Sequence, residues 1–430
     1  MKNFQIIILI VFIVAAVIGV LAFSGAIPLG NQSGGDGTGG TVVLWGTVKS
    51  TDIAKALEDF NKANQTYIIQ YVQKQPETFD QELLEALASG KGPDLFFITD
   101  ALAYKYSNKI LTVPYQSYPL AVFRQNFVGA GEVFLTSAGS LAFPIGVDPM
   151  VMYYSRSVLD ANSIVYPPEY WDQLTALVPV LTKKDETGKI QKSAVAFGQY
   201  VNIENAKDIL ATLFMQLGDP IVVEKNSSFI SVLGSNNGKY DISKTLEFYT
   251  DFANPLKDVY SWNRSLPNSQ DAFSKEDVAF YFGFASELRA LIQKNPNQNF
   301  MVAPMPQIKN AGTKLTLARV TGVAISAFSK NLNSAFSVAG LLATGDFAKQ
   351  FADTEGVAPA RRNLLTATPG DAYQSVFYSS ALYAKSWLDP SPVDTDSIFK
   401  EMVEKILSGN ATPYDSIKEA SAKLSLLFTK

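Results

Sequence analysis

TVVLWGTVKSTDIAKALEDFNKANQTYIIQYV, residues 41–72, is the stretch on which the fold turns. TVVLW (41–45) is β-branched and apolar and reads as a strand. In the next segment Ile53, Leu57 and Phe60 share one helical face. YIIQYV (67–72) is a second strand. The pattern then repeats: FDQELLEALASG is helical and stops at Gly90, and PDLFFIT (93–99) is a third strand. Strands alternating with helices at these lengths predict a parallel sheet covered by helices, since parallel neighbours need a long crossover.

Outward from this core the style persists. SRSVLDANSI and YPPEYWDQLTAL give two helical stretches around a proline turn. ENAKDILATLFMQLG is a further helix, with Ala206, Leu210, Leu213 and Leu217 near one stripe. DVAFYFG (277–283) and NFMVAPMP (299–306) read as short strands, the second stopped by Pro304 and Pro306. VTGVAISAFS is another strand and NLNSAFSVAGLLATG an apolar helix. The C-terminal part is helical, and its last helix has Thr412 as cap, Pro413 in the first turn and Asp415 three residues on. Two α/β lobes fit this order.

Composition narrows the chemistry. At 430 residues, with 47% apolar and 18% charged, the chain can bury one large core or two ordinary ones. A net charge of −4 gives no footprint for nucleic acid. There is no histidine, which removes His-based triads and HExxH metal sites, and no cysteine, which removes thiol nucleophiles, disulfides and thiol lipidation. No metal site, cofactor or catalytic residue is expected. The first residues are apolar: Lys2 is followed by an uncharged run from Phe4 to Phe23. That run is long enough to span a bilayer, and SGA at 24–26 also offers a cleavage site. Residues 1–29 therefore read as a membrane anchor or an export signal, and both send the body outside the cytoplasm. GNQSGGDGTGG (30–40) reads as a flexible linker with an r.m.s. span of roughly 18 Å.

Four patches then carry a resemblance: ALASGKGPDLFFIT (86–99), FPIGVDPMVMYYSRSVLDANSIVYPPEYWDQL (143–174), EDVAFYFGFASELRALIQKNPNQNFMVAPMP (276–306) and TGVAISAFSKNLNSAFSVAGLLATGDFAKQFADTEGVAPARRNLL (321–365). In order and spacing they resemble the extracellular solute-binding proteins of ABC importers, in the sugar-binding group related to maltose-binding protein. The resemblance implies an α/β, two-lobed periplasmic-binding-protein-like fold with discontinuous lobes. Lobe one would be 41–145 plus 307–355, and lobe two 150–303 plus 360–430. Hinges would lie near 146–149, 304–307 and 356–360. It also implies a monomeric receptor that closes on a solute and presents it to permease subunits.

The same resemblance points to ligand-binding residues. Trp45, at the end of the first strand, would stack on a sugar ring, or else belong to the core. Asp100, after PDLFFIT, would grip hydroxyls, or cap the next helix. Asp148 sits among Pro144, Ile145, Val147, Pro149 and Met150, and a buried acid there needs water, a partner or a ligand. Tyr153 follows on the same strand, where alternation lets only one side face a solute. Gln199, Tyr200 and Asn202 follow the strand AVAFG, where the family places polar contacts, and a surface loop is the alternative. Phe284 occupies the region where relatives carry a stacking tryptophan. Trp171 is expected to pack its helix, and Tyr170 stands where the family often has a capping threonine. Arg361 and Arg362 are expected to fix the interlobe segment. Two other classes fit less well. A carbohydrate-active enzyme needs a carboxylate pair such as Asp100 and Asp148, and an adhesion protein needs an exposed apolar patch.

Overall fold

The computed structural model describes residues 40–429 apart from 219, 226–227, 235–240 and 368. The expected anchor or signal, and all of the linker except Gly40, lie outside the described residues. Among the described residues no helix is long and apolar enough to cross a membrane. The chain divides into two compact units, each made of separated segments. Among the described residues, unit 1 holds 40–147, Val320–Glu355 and Pro359–Ala367, and unit 2 holds those of Asp148–Arg319, Gly356–Ala358 and the C-terminal segment from 369 on.

In unit 1, β1 (Thr41–Gly46) pairs in parallel with β2 (Ile68–Gln73) on one side and with β3 (Leu95–Thr99) on the other. The far half of the strand Thr316–Ile325 closes this sheet antiparallel to β3, with Thr321 opposite Thr99 and Ile325 opposite Leu95. Val42 and Leu44 are fully buried. The helix Ser50–Ala63 lays Ile53, Ala56, Leu57 and Phe60 on the core side, and Phe60 meets Phe347 of the helix Asp346–Glu355 edge-on. The sheet is thus dressed by helices whose apolar stripes match it.

Unit 2 is built on the strand Ala142–Ser155, through which the chain enters from unit 1. Val278–Phe284 and Phe300–Pro304 both pair antiparallel with its second half, and Ile190–Val195 runs parallel to Val278–Phe284. Tyr153, Phe197, Phe282, Trp171 and Tyr249 fill an aromatic core beside them. Every residue of the helix Ala206–Gln216 except Lys207 and Asp208 is buried, so that helix runs through the core rather than along the surface.

Three details depart from or refine the expectations. The return from unit 2 lies not at 304–307 but between Arg319 and Val320. Side chains hold the intervening segment in unit 2: Gln216 Nε2 donates to the carbonyls of Pro306 and Leu315, both at 2.9 Å, and Thr316 Oγ1 donates to the Met150 carbonyl at 2.7 Å. Residues 360–367 belong to unit 1 rather than to the second lobe, because Ala360 N–H donates to the Ile145 carbonyl and the Ala360 carbonyl accepts from Val128. Finally, Tyr170 supplies no side-chain cap. Gln173 Oε1 accepts from the Glu169 and Tyr170 amides at 2.8 and 3.2 Å, and the Gln307 carbonyl takes the Trp171 N–H. These bonds satisfy donors that a helix start leaves open.

Candidate functional site

Unit 1 gathers its candidates at the carboxyl ends of its parallel strands, where ligands of such sheets bind. Trp45 is the penultimate residue of β1, in register with Val72 and Phe96. Its indole is part-exposed. Lys74, one residue beyond β2, holds its Nζ 3.8 Å from the ring centroid and pairs with Glu82 at 2.8 Å. One face of the ring thus meets a cation. Asp100 follows β3 and opens the helix Asp100–Tyr106. Its Oδ1 accepts the Val320 N–H at 2.9 Å, which extends the contact between the two strands by one residue.

Unit 2 builds a denser polar cluster around the turn after the strand Val278–Phe284. Asp148 Oδ1 accepts the Ser286 N–H at 3.0 Å, and its Oδ2 accepts the Ser286 hydroxyl at 2.6 Å. The residue keeps some exposed surface, yet protein atoms ring its carboxyl closely enough that desolvation dominates. Burial pushes the carboxyl up to about 6. The two Ser286 bonds and the Arg319 charge pull it down, and Glu287 pushes it up. Glu287 folds back against the turn and accepts from Asn205 Nδ2 at 2.7 Å, Gln270 Nε2 at 2.9 Å, the Phe284 amide at 2.9 Å and the Tyr281 hydroxyl. Glycine at 283 makes this possible: a Cβ there would lie 2.6 Å from Tyr281 Cε1 and 2.9 Å from Glu287 Oε2. Burial, and then the Glu287 charge, raise the Tyr281 phenol well above its ordinary range, so it stays a donor.

The other candidates are placed differently. Tyr153 is fully buried, and its hydroxyl donates to the Phe284 carbonyl at 2.8 Å, so it ties the turn to the long strand and shows no surface. Phe284 is fully buried as well, and the Arg319 guanidinium lies over its ring, 3.7 Å from the centroid. Its aromatic face is therefore covered by a cation. Tyr200 is buried and its hydroxyl donates to Asp396 Oδ1 at 2.6 Å, which anchors the helix Pro392–Leu407. Asn202 Nδ2 donates to the Asn263 and Leu266 carbonyls at 3.0 and 2.9 Å and holds a loop. Gln199 is buried, its main-chain carbonyl takes the Tyr249 hydroxyl, and its Oε1 has no hydrogen-bond partner. Trp171 packs between Phe197 and Phe282, and its Nε1 donates to Gln216 Oε1 at 2.7 Å. Arg362 Nε donates to the Arg124 carbonyl at 3.2 Å, and Arg361 bridges to Phe127, both within unit 1.

Sequence reasoning passed over Lys74, Ser286, Glu287 and Arg319. Arg319 carried a readable signal, because it is the lone charge in the apolar run TLARVTGVAI (316–325), the same argument that singled out Asp148. Ser286 and Glu287 lie within the third patch, but only the turn brings them back on Asp148 and Tyr281.

The chain matches the family of bacterial extracellular solute-binding proteins over residues 55–376. Proteins of Brucella abortus (strain 2308) and Brucella suis biovar 1 (strain 1330), each named provisionally as a binding protein, are 22% identical over 369 residues, covering 81% of this chain and 83% of theirs. Among solved structures, a cyclo/maltodextrin-binding protein complexed with maltotetraose has a TM-score of 0.73 at 16% identity and covers 92% of this chain and 98% of its own. The sugar-binding protein MalE of Xanthomonas citri has a TM-score of 0.71 at 17% identity, covering 91% and 98%. MalE of Listeria monocytogenes in complex with maltose has a TM-score of 0.70 at 16% identity, covering 90% and 98%. At such identities the structural likeness speaks for the fold, which is the two-lobed periplasmic-binding-protein-like one. The family match extends over well over half of the chain, and the protein is a member of the bacterial extracellular solute-binding family, a receptor rather than an enzyme.

Proposed function

We propose that the protein is the extracytoplasmic receptor of an ABC importer, and that its solute is a sugar or short oligosaccharide. The observation that carries the carbohydrate reading is the Asp148 clasp. A carboxylate offers about four acceptor sites. Ser286 occupies two of them and orients the group, and the rest suit the hydroxyls of a neutral polyol. Holding an acid in a desolvated place costs stability, and a ligand contact gives that cost a purpose. In unit 1, the part-exposed Trp45 offers an indole and Asp100 a second acceptor. Solved relatives of the same fold bound to maltotetraose and maltose support this choice of solute class. Gln199, with its unpartnered buried Oε1, is a further candidate contact.

The N-terminal apolar run is proposed to tether the receptor to the membrane or to export it, and the permease subunits to accept the loaded form. Isothermal titration of the purified chain with maltose, maltotetraose, other neutral sugars, peptides and polyols tests the reading. A neutral sugar should bind with a Kd in the micromolar range or tighter, and Trp45→Ala should weaken it at least tenfold with little change in unfolding temperature. Binding of a peptide with none of any sugar would overturn the carbohydrate assignment.

A further inference from the structure

The face expected to offer an aromatic ring in unit 2 offers something else. Arg319 is the exposed member of a buried run: Thr316, Leu317, Ala318 and Val320 are all buried. Its side chain is 50% exposed, and its guanidinium lies 3.7 Å from the Phe284 centroid. Nη2 donates to Asp208 at 2.8 Å and to Asn205 Oδ1 at 3.3 Å. Asp208 is largely buried, and Asn205 takes a left-handed backbone at the start of the helix Ala206–Gln216. The guanidinium plane is thus fixed by a ring beneath it and acceptors at its edge. An arginine held this way is a flat, pre-oriented group that loses little entropy when it makes a further contact.

We propose that the Arg319 guanidinium, and not the Phe284 ring, is the flat surface against which this receptor packs its solute in unit 2. Phe284 supports the plane and touches no solute. The inference rests on the solute-receptor reading above and names a specificity residue within it. The chemistry of the neighbourhood defines the solute. Arg319 offers a flat cationic face over Phe284, and Asp148, held to Ser286 two residues beyond Phe284, offers acceptors whose titration feels the Arg319 charge. A flat cation and an acceptor held on one turn suit a neutral pyranose that lays its C–H face on the guanidinium and donates a hydroxyl to Asp148. Asp148 and Glu287 disfavour an acidic sugar there, although Arg319 alone would attract one.

The test uses the full chain, wild type and three variants. Maltose, maltotetraose, tagatose, trigalacturonate, proline and glycerol are titrated calorimetrically, and unfolding temperatures are measured without solute. Arg319→Lys keeps the charge and its pairing with Asp208 but lacks the plane. It is expected to weaken the best-binding neutral sugar at least tenfold while leaving the solute-free unfolding temperature within a few degrees. Arg319→Gln should weaken it as much or more, and Phe284→Leu should weaken it less than either. Wild-type affinity for the sugar but unchanged binding by Arg319→Lys and Arg319→Gln overturns the inference and leaves the receptor reading standing. A larger loss for Phe284→Leu than for the arginine variants overturns it as well. Binding of trigalacturonate in preference to neutral sugars refutes the assigned solute class. Binding of a non-sugar alone removes the carbohydrate reading, and the arginine variants then decide the platform with that solute. No binding of any probe overturns both.

Discussion

Replacing Asp148 by asparagine tests the central claim about the site, that an acid is kept there against its own solvation. Asparagine preserves both contacts with Ser286: Oδ1 accepts the amide, and Nδ2 donates to the hydroxyl in place of accepting. Only the charge is lost. Burial lifts the Asp148 carboxyl from 3.8 to about 6. Between those two values the folded chain binds more protons at this position than the unfolded chain does, so its contribution to stability falls as pH rises. The penalty is absent below pH 3.8 and complete above pH 6. A displacement of this size corresponds to a ceiling of about 3 kcal/mol, and partial exposure of the residue lowers the expected value to ~1–2 kcal/mol. Urea denaturation of wild type and Asp148→Asn without solute, at pH 4, 5, 6 and 7.5, measures it, and the difference between the two proteins cancels the titrating groups that do not feel the Asp148 charge. The variant should be more stable at pH 7.5 and indistinguishable at pH 4, while its affinity for sugar falls about tenfold with the loss of a charge-assisted acceptor. A difference that does not change with pH, or a variant less stable than wild type at pH 7.5, would refute the reasoning.

Two further outcomes follow from the packing. Gln216→Leu orphans Trp171 Nε1 and the Pro306 carbonyl, whereas the Leu315 carbonyl keeps its bond from Gln307; a loss of about 2–6 kcal/mol is expected in urea melts, and a loss below ~1 kcal/mol would show that the segment 304–319 is held by other means. Gly46→Ala places a Cβ 2.5 Å from Phe97 Cδ2 and 2.9 Å from Tyr71 Oη; it should cost about 1–3 kcal/mol and weaken solute binding through Trp45 next to it, as thermal unfolding and calorimetry on the same sample would reveal.

Legibility in the sequence followed the range of the forces involved. The run from β1 to β3 could be read because side-chain period and chain direction are local, and the helix face of Ile53, Leu57 and Phe60 is the buried one. The last helix starts where its cap predicted, with Thr412 Oγ1 accepting the Asp415 amide. Trp171 packs as its place in the first helical turn suggested. The crossing between units misled because Pro304 and Pro306 punctuate the chain like an exit, while Gln216 and Thr316, distant in sequence from the groups they hold, keep the segment in unit 2. Among the candidate residues, Tyr153, Tyr200 and Phe284 have ligand-like chemistry, but their hydroxyls and ring are occupied by Phe284, Asp396 and Arg319.

By itself the amino-acid sequence determined the α/β class, the alternation that makes β1, β2 and β3 parallel, and the need for something to answer the acid at Asp148. Periodicity, turn residues and the cost of an unpaired charge all act within a few residues, so they can be read along the chain. Only the tertiary structure decided which groups answer that acid, where the chain leaves unit 2, and that a guanidinium rather than a ring is the exposed plane beside it. Those outcomes depend on Ser286, Gln216 and Arg319 meeting residues ninety or more positions away, and no local pattern encodes which long-range partner arrives first or fits best.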